Sequence, residues 1–428
     1  MLTTAIIREK RDYIIERLRI KGFDATALTG IILNSDVERR NLMTLSESLQ
    51  AEINRTSKQI GAMMKEGNKA EAAELKEATR IKKEEIKRLE ASLSEATAVM
   101  NEALLKLPNI PDETVPPGKG PDENLLVREW GEIPSLPDNA RPHWELIKDY
   151  GIIDFDLGVK ITGAGFPLYR GKGASLQRAL ISFFIAEGIK AGYEEVIPPV
   201  LVNEASAFGT GQLPDKDGMM YGTKTDNLYL IPTAEVPLTN IYRDTILNEG
   251  DLPVKLVSYT PCFRREAGSW GSDVRGLNRL HQFDKVEIVQ ITSPGLSYQA
   301  LEEMAGHTGR LIEKLGLPYR VMLLCGGDMS FTSAKTYDFE VYSAAQQKWL
   351  EVSSVSNFES FQSNRLKCRY RKEGSRETSL AHTLNGSALA LPRIVAALLE
   401  NNQRDGEIII PEPLVPYTGF TTLKPGKE

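Results

Sequence analysis

Four arginines lie close together between two segments in which apolar and polar residues alternate. They are Arg264, Arg265, Arg275 and Arg279. Gly268, Gly271 and Gly276 lie among them, so the pattern predicts a strand, a long flexible loop and a second strand. Guanidinium groups keep their charge and donate forked hydrogen bonds, which suits phosphate and carboxylate oxygens. We therefore predict an anion-binding hairpin. The alternative is a solvated charged hairpin, in which we would expect Lys mixed with Arg and no Phe263 or Phe283.

Other familiar site patterns are missing from the sequence. There is no G-x-x-x-x-G-K-[ST] loop, and the segment that begins with Gly171 lacks the third glycine of a dinucleotide-binding loop. The four histidines and three widely separated cysteines do not have the spacing of zinc ligands. We interpret His281 and His382 as hydrogen-bonded scaffold residues. These observations argue against P-loop, Rossmann and zinc chemistry.

The elements that must position the arginines begin at about residue 130. Short apolar or alternating runs at 195–199, 228–232, 255–259, 286–291 and 339–341 predict strands, and helical patterns at 176–191, 296–315 and 393–401 lie between them. The strands are not each followed by a crossover helix of suitable length. The sequence therefore predicts an α+β domain, 130–428, built on a mostly antiparallel sheet flanked by helices.

The first hundred residues have a different pattern. No proline occurs between Asp36 and Leu107, and charges of both signs are dense. Apolar residues recur every seven positions in two rows, one from Ile86 to Leu107 and one from Leu89 to Ala103. A Gly-Asn pair at 67–68 suits a reversal. We predict an antiparallel coiled-coil hairpin over about 36–107, long enough to project into solvent, within a helical arm 1–107; a dimerising or spacer coil is the alternative.

The remaining composition is that of an ordinary soluble protein. The chain has 428 residues, 52 Lys+Arg against 58 Asp+Glu and 41% hydrophobic residues. At ~150 residues per domain this predicts two or three domains and excludes disordered, collagen-like and disulfide-stapled classes. Proline and glycine crowd residues 108–129, which we interpret as a linker. Scarce cysteine, a charged N-terminal segment and the lack of an apolar run of ~20 residues predict a cytoplasmic protein without a membrane span.

The arginine-rich hairpin resembles motif 2 of class II aminoacyl-tRNA synthetases, in the form found in the seryl-tRNA synthetase family. The resemblance rests on Phe-Arg-x-Glu at 263–266 and Arg-x-His-Gln-Phe at 279–283. Residues 192–199 resemble motif 1, Thr-Ala-Glu at 233–235 resembles the serine-pocket loop, 351–357 the metal and ATP strand, and 384–393 motif 3. The helical arm also belongs to the family's pattern. Position 355 is valine where the family often has cysteine, and Ala388 and Pro392 replace frequent glycines.

The resemblance implies a catalytic set that clamps ATP. Its members are Arg264, Glu266, Arg279 and Arg393. Arg264 would hold the α-phosphate and the serine carboxylate, Glu266 would lie beside the adenine, and Phe283 would stack on the purine opposite Arg393. Arg393, aided by Arg279, would reach the γ-phosphate. The implied ATP-binding residues are Arg264, Arg265, Glu266, Arg279, Phe283, Glu351, Val352, Ser353, Ser354 and Arg393. Glu351 and Ser354 would also bind Mg²⁺ through oxygen.

The resemblance also implies a serine pocket. Its members are Thr233, Ala234, Glu235, Arg264, Glu287 and Ser387. A carboxylate would take the substrate ammonium, and Glu287 and Ser387 would pair with the substrate hydroxyl. Taken alone, Glu287 could be a surface carboxylate of a strand. Ser387 could be the N-cap of a helix over 388–401 or part of a glycosylation sequon at 385–387.

The implied activity is that of a serine–tRNA ligase acting as a homodimer without DNA or membrane partners. ATP and L-serine would give seryl-adenylate, and tRNA(Ser) would accept the seryl group; whether tRNA(Sec) is charged stays open. The candidate tRNA contacts on the arm are Arg39, Arg40, Arg55, Lys58, Lys76, Arg80, Lys83, Lys87 and Arg88. Two alternatives remain: a ligase of the same fold that loads a carrier protein, and a non-catalytic coiled-coil scaffold.

Overall fold

A computed structural model describes residues 1–215, 218–266 and 275–426 of the chain. The chain divides into two compact units, Met1–Ile110 and Pro111–Glu428. Within the described residues, no helix is both long and apolar enough to cross a membrane.

The first unit is helical. Its helices are α1 (Thr4–Glu9), α2 (Arg11–Ile20), α3 (Thr26–Glu66) and α4 (Lys69–Lys106). The last two form the predicted antiparallel hairpin, but it begins ten residues before the predicted start at 36. The reversal lies at Gly67, whose φ of +86° is the left-handed conformation that glycine adopts without strain.

The inward row of α3 is more continuous than its sequence suggests. Ser46 and Thr56, which interrupt the apolar repeat, are both half-buried, as are Leu49 and Met63 seven positions to either side of Thr56, because small polar side chains still fit the seam between two helices. Ile53 on α3 and Ile86 on α4 are buried in the same unit. The heptad therefore sets the register despite its weak half.

A buried carboxylate lies in α3. Asp36 is fully buried and forms ion pairs with Arg8, Arg39 and Arg40 at 2.6, 3.0 and 3.2 Å. Burial would raise the pKa of Asp36, but the hydrogen bonds from Arg39 and Arg8 outweigh it, and the pKa lies below its usual value. Two of the predicted tRNA contacts are therefore already bonded to a protein carboxylate.

The second unit mixes helices and strands. Its helices are α5 (His143–Asp149), α6 (Phe155–Ile161), α7 (Gly171–Lys190), α8 (Glu204–Thr210), α9 (Glu235–Asn240), α10 (Ser297–Lys314), α11 (Ser360–Leu366), α12 (Leu391–Asn401) and α13 (Val415–Thr418). Its strands are β1 (Leu125–Trp130), β2 (Ile153–Asp154), β3 (Leu168–Tyr169), β4 (Glu194–Glu195), β5 (Leu201–Asn203), β6 (Leu228–Leu230), β7 (Ile246–Asn248), β8 (Val254–Phe263), β9 (Gln282–Thr292), β10 (Tyr319–Leu323), β11 (Lys335–Ser343), β12 (Lys348–Glu359), β13 (Arg369–Arg371), β14 (Thr378–Leu380), β15 (His382–Ala390), β16 (Gln403–Arg404), β17 (Glu407–Ile409) and β18 (Thr422–Leu423).

The largest sheet has eight strands in the order β1-β10-β11-β12-β15-β9-β8-β4. Every neighbouring pair in it is antiparallel except β4 with β8, which confirms the predicted α+β class with a mostly antiparallel sheet. Apolar residues of α7, α10 and α12 pack with it in one continuous core. The long central strands thus form a rigid platform.

Two boundaries differ from the sequence-based prediction. Residues 125–129, assigned to the linker, belong with Trp130 to β1, which pairs with β10 at the edge of the sheet. All six side chains of β1 are exposed, so no buried face marked it as a strand. The run at 195–199 gives only the two-residue β4, because Pro198 and Pro199 cannot continue a hydrogen-bonded ladder.

Candidate active site

Strand alternation places two charged residues on one face of β9. Val286 and Ile288 point into the helix-covered core, so Lys285 and Glu287 point to the opposite face. The segment before α9 lies over that face: Ala234 packs there with Val289. On the neighbouring strand β15, Ser387 pairs in register with Glu287.

Glu287 is the centre of a buried polar cluster. It is 1% exposed and forms an ion pair of 2.5 Å with Lys285, which also donates to Thr233 Oγ1 at 2.9 Å. Asn385 Nδ2 donates to Glu287 Oε1 at 3.0 Å, and Ser387 Oγ lies 3.4 Å from Oε2. The surface alternative for Glu287 is therefore wrong. The helix-cap alternative for Ser387 is also wrong, because this residue lies within β15 and α12 begins only at Leu391.

Glu235 is the second buried carboxylate of the pocket. Gln362 Nε2 donates to its Oε1 at 2.6 Å, and Thr383 Oγ1 donates to the amide oxygen of Gln362 at 2.7 Å. Burial raises the pKa of Glu235 to about 7; the Gln362 hydrogen bond and Lys285 lower it, and Glu287 raises it further. Glu235 is therefore close to half-ionised at neutral pH.

The remaining loop residue of the predicted pocket has an apolar role. Ala234 is fully buried in a small cluster with Leu238, Leu256 and Val289. Its methyl group packs against the sheet, so only its backbone faces the polar side. Thr233 Oγ1 accepts from the Glu235 amide at 3.3 Å and thereby fixes the start of α9.

Arg264 lies between the polar cluster and the predicted purine position. Its guanidinium carbon is 5.2 Å from the centre of the Phe283 ring, and its Nε donates to the Pro232 carbonyl at 3.4 Å. Its positive charge also lowers the pKa of Glu235, as a secondary contribution after burial. Arg264 therefore borders both parts of the site.

The two ends of the arginine-rich loop meet each other. Arg279 forms an ion pair with Glu266, whose φ of +48° is unusual for a residue with a side chain. Arg265 is exposed, and its backbone N–H donates to the Met219 carbonyl. The loop between them, 267–274, lies outside the described residues, as do the predicted loop glycines Gly268 and Gly271.

The strand predicted to bind metal and ATP contains a bulge. The pairing between β11 and β12 shifts by one residue at Val352, which is buried in the core. Glu351 and Ser354, three residues apart in sequence, therefore lie on the same face, with Ser354 Oγ 3.4 Å from Glu351 Oε1. Ser353 is also buried, and its hydroxyl donates to the Ser387 carbonyl at 2.6 Å. The side chains of Val352 and Ser353 therefore face away from the predicted nucleotide. Only their backbone groups could contact ATP.

Arg393 joins this strand to the arginine loop. Its Nη1 donates to the Glu351 carbonyl at 2.7 Å, and its Nε donates to the Asn278 carbonyl at 3.0 Å. Pro392 is in the first turn of α12, where proline needs no hydrogen-bond donor, and Ala388 is fully buried in β15. The two departures from the family's glycines are thus accommodated next to Arg393.

The comparisons with known proteins agree with one another. Residues 1–111 match the family described as seryl-tRNA synthetase N-terminal domain, and 221–402 match the class II core domain of synthetases for G, H, P, S and T. The chain is 51% identical over 424 residues to the serine–tRNA ligase of Salinibacter ruber, with 99% of both chains covered. The chain belongs to the seryl-tRNA synthetase family.

Two further relatives extend this likeness. A serine–tRNA ligase of Methylacidiphilum infernorum is 48% identical over 97% of this chain and 99% of its own. The crystal structure of seryl-tRNA synthetase from Pyrococcus horikoshii complexed with ATP is 32% identical, with a TM-score of 0.93 and full coverage of both chains. The resemblance stated from the motifs is confirmed.

For this seryl-tRNA synthetase family member, sequence reasoning missed three polar residues that hold the pocket. Lys285 neutralises Glu287, Gln362 holds Glu235, and Asn385 bonds Glu287 although it was treated only as part of a sequon. A lysine two positions from a glutamate inside an apolar strand was the available signal for Lys285. The histidine interpretations agree with the geometry: His281 Nδ1 lies 3.1 Å from the Arg264 carbonyl, and His382 Nδ1 lies 2.9 Å from Ser297 Oγ.

Proposed function

We propose that the chain activates L-serine with ATP to form seryl-adenylate and transfers the seryl group to the 3′ end of tRNA(Ser). The observation that supports this most is the buried polar cluster of Thr233, Glu235, Glu287 and Ser387 beside Arg264. A site that buries so many polar groups requires a ligand whose own polar groups complement them.

Serine fits the cluster at both of its ends. Its ammonium group would bind the carboxylate of Glu235 and the hydroxyl of Thr233, both of which are buried. Its hydroxyl would bind Glu287 and Ser387, where the oxygens already lie 3.4 Å apart. Alanine would offer no hydroxyl to these two residues, and threonine would add a methyl group against the wall of β15.

The reaction needs charge stabilisation and no nucleophile from the protein. The serine carboxylate attacks the α-phosphorus of ATP in line, pyrophosphate leaves, and the 3′-hydroxyl of the terminal adenosine then attacks the seryl carbonyl and releases AMP. Arg264, Arg279 and Arg393 would hold phosphate oxygens as charge develops on them. Phe283 offers a π-face to the adenine, which requires the Arg264 guanidinium above it to turn toward the phosphates.

The oxygen donors of β11 and β12 suit Mg²⁺. Glu351 and Ser354 lie together, and on the neighbouring strand Asp338 has a buried Oδ1 that has no hydrogen-bond partner among the residues the structure describes. Burial raises the pKa of Asp338, and Glu351 raises it further, which is the situation a divalent cation relieves. Bound there, Mg²⁺ would neutralise charge on the ATP phosphates. Glu351 and Ser354 would hold it, with Asp338 beside them.

The helical arm would bind the tRNA backbone. On α4 five exposed cations share one face, spaced by seven, four, three and four residues: Lys69, Lys76, Arg80, Lys83 and Lys87. They cover about 27 Å of helix, as a row of phosphates requires. Arg80 already forms ion pairs with Glu77 and Glu84, and on α3 Arg39 and Arg40 form ion pairs with Asp36. The four lysines of the row are therefore the stronger candidates. Arg55, Lys58 and Arg88 are also exposed.

We further propose a cytoplasmic homodimer. Cys262, Cys325 and Cys368 are free thiols, as a reducing compartment allows. Around motif 1, Ile189 and Ile197 expose 48% and 87% of their surface, which a second copy of the chain would cover. Charging of tRNA(Sec) by the same arm is compatible with recognition of tRNA shape.

Pyrophosphate exchange tests the proposal. Purified chain, ATP and labelled pyrophosphate are incubated with each of the twenty amino acids in the absence of tRNA. We expect exchange to be fastest with serine, and to be lost in Glu287→Ala and Arg264→Ala but kept in the exposed control Glu377→Ala. Fastest exchange with another amino acid would reject the substrate, and no exchange with any would favour the scaffold. Transfer of labelled serine to a tRNA(Ser) transcript then separates a tRNA ligase from a carrier-protein ligase.

A further inference from the structure

A buried histidine and glutamate form a pair outside the residues assigned to the site. His143 begins α5 and Glu400 lies near the end of α12, and both are fully buried. His143 Nδ1 is 2.7 Å from Glu400 Oε1, and the backbone N–H of His143 donates to the same oxygen at 2.9 Å. Ser343 Oγ donates to Glu400 Oε2, and Gln346 Nε2 donates to Oε1 at 2.9 Å. Both oxygens of the Glu400 carboxylate thus accept hydrogen bonds.

This arrangement fixes the tautomer of the ring. Because Nδ1 faces a carboxylate oxygen, it carries the proton, and Nε2 is left as an acceptor. The backbone N–H of Leu277 donates to that Nε2 at 2.9 Å. Leu277 lies two residues before Arg279, where the arginine-rich loop returns to β9. The pair therefore holds a backbone donor of the loop itself.

The same short segment is held from two more directions. Asn278 accepts from Arg393 Nε through its carbonyl at 3.0 Å, and its amide Nδ2 donates to Gln346 Oε1 at 3.1 Å. Gly276 has a φ of +66°, and a Cβ there would lie 2.3 Å from His143 Nε2. The approach of loop to ring is therefore so close that it requires glycine.

Two residues of helix α12 provide the contacts to Leu277 and Asn278. Arg393 and Glu400 are seven residues apart, two turns along one face, and act on consecutive residues of the loop, Arg393 directly on Asn278 and Glu400 through His143 on Leu277. Motif 3 and motif 2 are thus fastened to each other at the point from which Arg279 extends.

We propose that His143 and Glu400 are positioning residues for the ATP site. They set the return of the arginine-rich loop so that Arg279 and Arg393 are in place before the triphosphate binds. The inference rests on the proposed function, because it assigns these arginines to ATP. Neither His143 nor Glu400 touches the reactants. The serine pocket is held separately, through Lys285 and Gln362, so the pair acts on ATP and leaves serine binding unchanged.

Two substitutions of His143 separate this role from general stability. In His143→Asn the amide nitrogen takes the place of Nδ1 and keeps the bond to Glu400, but the side chain is too short to accept from Leu277. In His143→Gln the amide oxygen reaches the place of Nε2 and accepts from Leu277. We expect His143→Asn to raise the KM for ATP about tenfold, the effect of one lost buried hydrogen bond, with the KM for serine within about twofold of wild type. His143→Gln restores most of the ATP affinity.

The measurements are serine-dependent pyrophosphate exchange at varied ATP and at varied serine, ATP binding by calorimetry, and the unfolding midpoint of each variant. Lys148→Ala, an exposed change on α5, is the control and stays at wild-type values. Gly276→Ala disturbs the same contact from the loop side, and we expect it to raise the KM for ATP equally. It replaces His143→Asn in the comparison if that variant folds poorly. Equal effects of Asn and Gln, or parallel rises in both KM values, would refute the positioning role.

Calorimetry also separates the two proposals. Wild type that binds ATP but shows no serine-dependent exchange would refute the proposed function, while the comparison of ATP affinities between the Asn and Gln variants would still decide the role of His143.

Discussion

Replacing Glu235 by glutamine should stabilise the protein in the absence of substrate while abolishing its activity. Burial raises the pKa of this carboxyl from 4.5 to about 7. In the unfolded chain Glu235 ionises near pH 4.5, whereas in the folded chain it stays protonated up to about pH 7. Folding stability therefore falls as pH rises through this interval, by about 3 kcal/mol in total at ~1.4 kcal/mol per pH unit. Above pH 7 the loss is complete.

The glutamine variant lacks this loss. Its amide introduces an N–H that would lack a partner, at a cost of about 1 kcal/mol, but that cost is the same at every pH. We therefore expect the stability of Glu235→Gln relative to wild type to increase by about 2 kcal/mol between pH 5 and pH 8. Gln362 can still donate to the oxygen of the new amide, so the pocket keeps its shape.

Serine binding should show the same ionisation. The ammonium of serine needs the charged form of Glu235, and at pH 6 only about a tenth of the sites carry it, against about nine tenths at pH 8. The KM for serine should thus be roughly tenfold higher at pH 6 than at pH 8. Below pH 7 binding should release a proton, visible by calorimetry as a dependence of the measured heat on the ionisation enthalpy of the buffer.

Tryptophan fluorescence is a suitable probe of unfolding. All four tryptophans, at 130, 144, 270 and 349, lie in the second unit, so urea curves report the unit that contains Glu235. The control is Glu377→Gln, an exposed carboxyl whose replacement should leave the pH dependence unchanged. If wild type and Glu235→Gln lose stability in parallel from pH 5 to pH 8, the inference that Glu235 is buried and uncompensated is wrong.

Three further changes test separate parts of the site. Ser387→Ala should raise the KM for serine about tenfold, because Glu287 loses its hydroxyl neighbour, with the KM for ATP unchanged in exchange assays; equal changes in both would contradict the assignment. Lys285→Met should cost about 3 kcal/mol or more in urea unfolding, because Glu287 stays buried without its cation, and adding Glu287→Gln should recover much of it; simple additivity would argue against the pair. The double variant Lys76→Glu, Lys83→Glu should slow transfer of serine to tRNA, most at low salt, and leave pyrophosphate exchange unaltered. An equal loss of pyrophosphate exchange would mean that the two lysines support folding and do not bind tRNA.

Local patterns predicted the elements well where side-chain spacing alone decides them. The heptad rows predicted the hairpin, and the alternation of apolar and polar residues predicted β8 and β9, because each pattern is visible within a single short stretch of sequence. The start of the hairpin and the strand β1 were missed for the opposite reason. β1 exposes every side chain and is held by backbone bonds to β10, nearly two hundred residues later.

The site shows the same limit. The motif residues could be predicted from their spacing in the sequence, but the residues that hold them in place are far from them along the chain. Gln362 reaches Glu235 across 127 positions, and His143 reaches Glu400 across 257. Val352 and Ser353 were predicted among the ATP-binding residues, and a one-residue bulge turns both of their side chains inward, which leaves only their backbone groups for ATP. A bulge has no signature in a run of small and β-branched residues.

The serine pocket contains one buried carboxyl, Glu235, that forms no ion pair with the described residues. It buries two carboxylates, Glu235 and Glu287, and the cation Lys285 forms its ion pair with Glu287. The charges of Lys285 and Arg264 lower the pKa of Glu235, but burial outweighs them. Protonation of Glu235 removes the cost of burying its charge when no ligand is bound, and a substrate ammonium offsets that cost in the complex, so the proton and the ammonium compete for the same carboxylate. A ligand without an ammonium group would leave that cost in place. The charge balance therefore selects a free amino acid before Glu287 and Ser387 select its hydroxyl, and the two selections use different strands of one rigid sheet.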